Sequence, residues 1–166
     1  MGYQLIEHIQ VGAGGAASIE FTGIPQDGVD LVVKVSLRGS GASIEPSLNF
    51  NSDSGSNYNR IHLRGDGSTA SSASASSATS LDLNGFIATS GSTSNTFSNG
   101  EILVSNYTSS SNKSVSADGV NENNATTAYA AIVAGSYSTS SPITSLKITK
   151  GMVQYSSASL YKITAD

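Results

Sequence analysis

The sequence predicts an all-β protein, an antiparallel two-sheet β-sandwich with about ten strands. Three observations support this fold class. Apolar and polar residues alternate over short runs, which is typical of half-buried antiparallel strands. Turn-forming residues separate these runs, and no helical period extends over ten residues. The chain has 166 residues, which fits one domain spanning 1–166.

The alternation places the strands along the chain. It is clearest in DLVVKVSLR, where Leu31 and Val33 point to one face while Lys34 and Ser36 point to the other. The segment 126–137 is apolar on both faces, so it predicts a central strand covered on both sides or one facing a partner subunit. In chain order, strands are predicted near 3–11, 16–21, 30–38, 45–51, 58–64, 80–88, 99–107, 113–120, 126–137, 143–149 and 157–164.

Glycine, proline and Asx residues predict the turns. Gly14 and Gly15 lie between the first two strands, and Pro25 and Asp27 lie between the second and third. The stretch 68–80, almost all Ser and Ala, predicts a long surface loop inside the domain, and 90–98 predicts a second one. Short strands with such punctuation predict a jelly-roll-like sandwich of two packed sheets.

Composition excludes several classes of protein. There is no cysteine, so disulfides and cysteine-based zinc sites are excluded. Charged residues make up 12% of the chain and the net charge is -4, which leaves no basic footprint for nucleic acid. No apolar run reaches the roughly 18–20 residues of a membrane span. The N-terminus lacks the features of a signal peptide, so synthesis in a cytoplasm is expected.

One predicted strand face carries the main candidate site. Tyr58, Arg60, His62 and Arg64 alternate along one face of the strand 58–64, with Asn59, Ile61 and Leu63 on the other. We interpret the first set as a polar outer face. Tyr and Arg are enriched in subunit contacts, so a contact surface is the next interpretation. Stacking and forked hydrogen bonds to a sugar or carboxylate are a third.

The remaining motifs are weak. Arg64-Gly65-Asp66 matches an adhesive tripeptide, but Asp66-Gly67 more simply predicts a turn. Asn51, Asp53 and Gly55 resemble half of a calcium loop without its closing glutamate, and an Asx-turn explains them equally well. His8 and His62 give no metal site unless they meet.

No nucleophile elbow or paired catalytic carboxylates are indicated by spacing. The chain is therefore predicted to be no enzyme and to bind no cofactor.

Three phrases of the sequence form a recognisable pattern. Their residues are Phe21, Ile24, Pro25, Asp30 and Leu31 in the first, Phe50, Asn51, Asp53, Asn57 and Tyr58 in the second, and Leu160, Tyr161 and Ile163 in the third. They resemble phrases of small β-sandwich proteins and domains in tailed-bacteriophage virions, which have F-x-x-Ile-Pro followed by Asp-Leu, then F-N-x-D with N-Y shortly after, and a closing Leu-Tyr-x-Ile. The resemblance implies a virion structural role, on the capsid or in a tail or fibre.

A capsid decoration, or cement, protein is the favoured function within that resemblance. The chain shows no heptads of a fibre coiled coil. The expected partners are the major capsid protein or other virion proteins and copies of the chain itself, with a trimer favoured. A tail-fibre or receptor-binding module that recognises carbohydrate is the alternative. The expected location is the virion, after synthesis in the bacterial host cytoplasm.

Overall fold

The computed structural model describes residues 2–121 and 128–165, and the fold is an all-β sandwich of two antiparallel sheets, as predicted. These residues form twelve strands and no helix. The strands are β1 (Gly2–Gln10), β2 (Ala16–Phe21), β3 (Asp30–Ser36), β4 (Ser47–Phe50), β5 (Tyr58–Gly65), β6 (Ala70–Ala78), β7 (Leu81–Asp82), β8 (Asn99–Val104), β9 (Lys113–Asn121), β10 (Tyr129–Tyr137), β11 (Leu146–Met152) and β12 (Ser157–Thr164). No helix long and apolar enough to cross a membrane occurs in these described ranges.

Eight of the strands form a rolled-up antiparallel hairpin. β1 pairs with β12, β2 with β11, β3 with β8 and β4 with β7, so the chain runs out and returns along itself. Successive pairs alternate between the two sheets, giving the orders β1-β12-β3-β8 and β2-β11-β4-β7. This nesting of two Greek keys is the jelly-roll arrangement that the sequence predicted.

Two inserted hairpins widen one of the sheets. β5 and β6 lie between β4 and β7 in the chain, and β9 and β10 lie between β8 and β11. β9 pairs with β8, and β10 pairs with β5, which extends the larger sheet to eight strands ending at β6. The insertions therefore create a broad surface that the eight-strand roll alone does not have.

The core lies between the two sheets. Inward residues of β3, β8, β9 and β12 face those of β2, β4 and β11, and the segment after β7 closes one side. Its fully buried large side chains include Phe21, Leu31, Leu37, Leu48, Phe50, Tyr58, Leu81, Leu83, Phe86 and Tyr107.

Phe86 is seated on two glycines of the larger sheet. Gly100 and Gly119 are paired across β8 and β9. A Cβ added to either would lie 2.9 Å from the Phe86 ring. The ring is completely buried, so the absence of both side chains is what makes room for it.

The prediction of a surface loop at 68–80 is wrong, because residues 70–78 form the edge strand β6. Gly65, Asp66 and Gly67 make the turn of a β5–β6 hairpin, with the Asp66 carboxylate accepting from the backbone N–H of Ser68 at 3.0 Å and Thr69 at 2.7 Å. Backbone pairing to β5 imposes the strand, although β6 has none of the β-branched or aromatic residues that favour strands. The segment 90–98 contains no strand.

The predicted strand 80–88 is shortened to β7, Leu81–Asp82. Gly85 adopts φ +84° and its N–H donates to the carbonyl of Ile44, while Phe86 closes a turn back to Leu83. The apolar residues that suggested a strand are buried in an irregular segment instead. Its hydrophobic run was therefore a signal of burial and not of strand geometry.

Candidate interaction surface

The face formed by Tyr58, Arg60, His62 and Arg64 points inward. Tyr58 is 0% exposed and His62 is 7% exposed, while the Arg60 side chain retains 14% exposure. The prediction of a polar outer face is therefore wrong. Alternation defined the two faces of β5 correctly, but a period of two does not say which face meets the other sheet.

Tyr58 has a structural role, and its hydroxyl both accepts and donates a hydrogen bond. Its Oη accepts from the Phe50 N–H at 3.0 Å and donates to the Asp53 carbonyl at 3.1 Å. Its ring stacks on that of Tyr137, with centroids 4.9 Å apart. Burial raises the pKa of Tyr58 to about 12, so this phenol stays neutral at physiological pH.

The two arginines are anchored to the segment that starts at β7. The Arg60 guanidinium contacts the Asp82 carboxylate at 2.7 Å. Arg64 donates to the Asn84 side chain at 2.9 Å, and its guanidinium lies 4.8 Å from the centre of the Tyr129 ring. These contacts fasten the inserted β5–β6 hairpin to the body of the sandwich.

His62 lies between these arginines, and its Nδ1 has no hydrogen-bond partner in the described part of the chain. Burial lowers the pKa of His62, and the positive charge of Arg60 lowers it further. Both effects favour the neutral imidazole. His8 lies on β1, six strands away in the sheet, where its Nδ1 is 2.7 Å from the Ser159 hydroxyl. The two histidines do not meet.

The opposite face of β5 is exposed and apolar. Ile61 and Leu63 are each 58% exposed, and Ile132 of β10 is 61% exposed. Leu63 pairs directly with Ile132. Val120 of β9 is 47% exposed on the same face, where it pairs with Ala130, two residues before Ile132. We call these four residues, Ile61, Leu63, Val120 and Ile132, the outer patch. A groove of about 560 Å³ follows it between β9 and β6.

The outer patch is part of a longer pattern across the eight-stranded sheet. A row of paired residues runs from Leu5 of β1 through Tyr161, Val32, Leu103, Ser116, Ala134 and Ile61 to Ser74 of β6. At the β1 end, Tyr3 and Leu5 are 61% and 53% exposed. The middle of the adjacent row carries the Lys34–Glu101 ion pair, at 3.0 Å. The face thus has exposed apolar residues on β1 and in the outer patch, with an ion pair between them.

Contiguous exposed apolar side chains are typical of a surface that binds another macromolecule. Sequence reasoning assigned Ile61 and Leu63 to the face opposite Tyr58, yet it missed their exposure. The available signal was the two-sided apolarity of the 126–137 segment. Its alternative of a strand covered on both sides is wrong for Ile132, while the alternative of a partner subunit remains a prediction.

The adhesive tripeptide has both of its charges engaged internally. Arg64 is bound to Asn84 and lies over Tyr129, as described above. The Asp66 carboxylate also accepts from the Ser68 hydroxyl at 3.0 Å. Those hydrogen bonds lower the pKa of Asp66. Its role in closing the β5–β6 turn accounts for the aspartate.

The half calcium loop is an Asx-turn. The Asp53 carboxylate accepts from the Gly55 N–H at 2.7 Å, from the Asn57 amide at 2.8 Å and from the Tyr137 hydroxyl at 3.0 Å. These donors lower the pKa of Asp53, with the Asn57 bond as the largest cause. Within the described ranges, no group of three or more His, Asp or Glu is placed to hold a metal ion.

One further buried charge, Lys113, is structural. Its ammonium lies within 2.5–3.5 Å of the carbonyl oxygens of Ser109, Ser111, Thr139 and Ser141. It is 1% exposed, and burial lowers the pKa of Lys113. The side chain thereby ties together the two loops that flank β9 and β10.

Comparison with protein-family models, curated proteins and solved structures finds no match to this chain.

Proposed function

We propose that the protein is a structural component of a bacteriophage virion, a capsid decoration protein that binds the shell and stabilises it. The observation that carries this proposal is the exposed apolar surface on the inserted half of the eight-stranded sheet. Ile61, Leu63 and Ile132 expose more than half of their surface, which costs free energy unless a partner covers them. A protein that works by large-area contact requires such a surface.

The architecture supports the same function. Jelly rolls serve as capsid and lectin domains, although a fold alone does not fix a function. The residues that carry the resemblance to virion proteins include Phe21, Leu31, Phe50 and Leu160, all 0% exposed. They belong to the buried core, so the resemblance concerns the fold.

The carbohydrate-binding alternative loses the residues on which it depended. Tyr58 is covered and the two arginines are bound within the chain. The polar face therefore serves to attach the inserted strands, and the apolar face opposite is the one available to a partner.

In this proposal, the outer patch docks on neighbouring shell subunits and bridges them. Apolar contact there stabilises by roughly 25 cal/mol for each Å² removed from water. Bridging contacts of this kind oppose the outward pressure of packaged DNA. The charged middle of the face, around Lys34 and Glu101, supplies orientation more than affinity.

The proposal is tested with particles that lack the protein. Purified protein is added back, and binding is measured by co-sedimentation and the rupture temperature of filled particles by calorimetry. We expect stoichiometric binding and a higher rupture temperature. Ile132→Lys, which places a charge in the outer patch, abolishes both effects. Thr149→Lys, on the exposed face of β11, is the matched control and retains them. No binding by the wild-type protein, or equal binding by both variants, overturns the proposal.

A further inference from the structure

The four edge strands of the two sheets, β1, β2, β6 and β7, differ in how they are protected against pairing with another chain. An edge strand presents unpaired N–H and C=O groups, and native proteins shield it with charges, bulges or short length. β1 carries Glu7 and a register shift beside it. β2 carries Glu20, paired to Lys147 at 3.5 Å. β7 is two residues long.

β6 lacks these devices along most of its length. It has nine residues, and none is charged, proline or larger than serine. One register shift occurs near its end, where Ser77 has φ 52°. The remaining stretch, 70–75, pairs regularly with β5 and leaves its outer edge open.

The β6 sequence is a palindrome. Ala70-Ser-Ser-Ala-Ser-Ala-Ser-Ser-Ala78 reads the same in both directions about Ser74. Two copies that run antiparallel with Ser74 opposite Ser74 therefore match like with like, and the regularly paired centre places Ala73 opposite Ala75 on each side of the Ser74 pair. Serine pairs gain side-chain hydrogen bonds, and alanine pairs let the two strands approach without steric conflict. A two-fold axis through Ser74 makes the contact the same on both copies.

The same register aligns the apolar surfaces. Ile61 pairs with Ser74, so the row continues from Ile61 through Ser74 into the Ser74 and Ile61 of the second copy. The two Ile61 side chains then lie on one face, about 14 Å apart, which is three strand spacings. The outer patches of both copies become parts of one continuous surface.

We propose that the open edge of β6 pairs with β6 of a second copy of this chain about a two-fold axis at Ser74, forming a dimer with one sixteen-stranded sheet. The partner is a second copy of this chain. Only two copies of β6 paired about Ser74 match like residues with like and also place both Ile61 residues in one row. This association does not depend on the proposed role in a virion, and it is measured on the purified protein alone.

The first test is the mass in solution, by sedimentation equilibrium over a range of concentrations. We expect twice the monomer mass for the wild-type protein. Ser74→Lys and Ser74→Glu each place like charges opposite one another and give monomers, while an equimolar mixture of the two variants restores the dimer. Ser116→Lys adds the same charge on the outer face of β9 and remains dimeric.

The second test fixes the register, using the fact that the chain contains no cysteine. Antiparallel pairs have Cα atoms about 4.5–5.5 Å apart, which fits disulfide geometry. Ser74→Cys is therefore expected to cross-link into a dimer under mild oxidation. Ser72→Cys is the control, because four residues at about 3.4 Å each separate its two copies by roughly 14 Å.

A monomeric or trimeric wild-type protein overturns the inference, as does cross-linking that is as fast at position 72 as at position 74. Dissociation by Ser116→Lys but not by Ser74→Lys also overturns it, since that result assigns the contact to the sheet face. If a charged variant fails to fold, as judged by circular dichroism, the cysteine variants still decide the register.

Discussion

Gly119→Ala is expected to destabilise the protein through the Phe86 ring. The new Cβ would lie 2.9 Å from one ring carbon and 3.0 Å from two others. Carbon atoms in optimal contact are about 3.5–4.0 Å apart. Phe86 is 0% exposed and also rests on Gly100, so the ring has no free direction in which to move.

The expected magnitude follows from overpacking in a rigid core. An added methyl group at such a site costs about 1–3 kcal/mol. For a chain of this size, 1 kcal/mol changes the melting temperature by roughly 2–4 °C, so the expected decrease is about 2–12 °C. Thermal unfolding by circular dichroism, at one fixed protein concentration, measures it.

Gly65→Ala provides the matched control. Gly65 is also a strand glycine without positive φ, but an added Cβ there meets nothing within 4 Å. We expect an unchanged or slightly raised melting temperature, because alanine restricts the unfolded chain. In a double-mutant cycle, Phe86→Leu combined with Gly119→Ala should lower the unfolding free energy by less than the sum of the two single substitutions. Equal melting temperatures for the two glycine variants, or strict additivity in the cycle, would refute the reasoning.

Two further substitutions test the buried face of β5. Tyr58→Phe leaves the buried Phe50 N–H without its acceptor and should lower the unfolding free energy by about 1–3 kcal/mol in urea titrations; a loss within about 0.5 kcal/mol, typical of surface changes, contradicts this assignment. His62 has a lowered pKa in the folded state, so the unfolded chain binds the proton more readily. The contribution of neutral His62 to the unfolding free energy is therefore fully present above the ordinary pKa of about 6.5. It is lost as the pH falls through the lowered pKa of the folded state. His62→Gln should therefore show a shallower loss of stability on acidification, and the same slope in both proteins contradicts the prediction.

The architecture was predictable because its strands are locally encoded. In β3, Leu31, Val33 and Val35 recur at every second position, and in β4 Leu48 and Phe50 do the same, as one buried layer requires. The Asp66-Gly67 and Asp53–Gly55 turns were likewise predictable, since their carboxylates bond to backbone N–H groups two or three residues away. Interactions of this range do not depend on the rest of the fold.

Sequence failed where distant parts of the chain decide the outcome. The sequence of β6 has no alternation of large apolar and polar residues that would predict a strand. It is a strand because its backbone pairs with the free edge of β5. The burial of Phe86 depends on two glycines 14 and 33 residues further along the chain, paired only in the folded sheet.

The sequence by itself determined that alternate residues of β5 lie on two faces, one with Tyr58 and Arg60, the other with Ile61 and Leu63. Tertiary structure alone decided which face is buried. The segment around Asp82 and Asn84 supplies partners for both arginines, so the polar face turns inward. The hydrophobic face stays outside, because the smaller sheet and the segment around Asp82 both pack against the opposite face of the larger sheet.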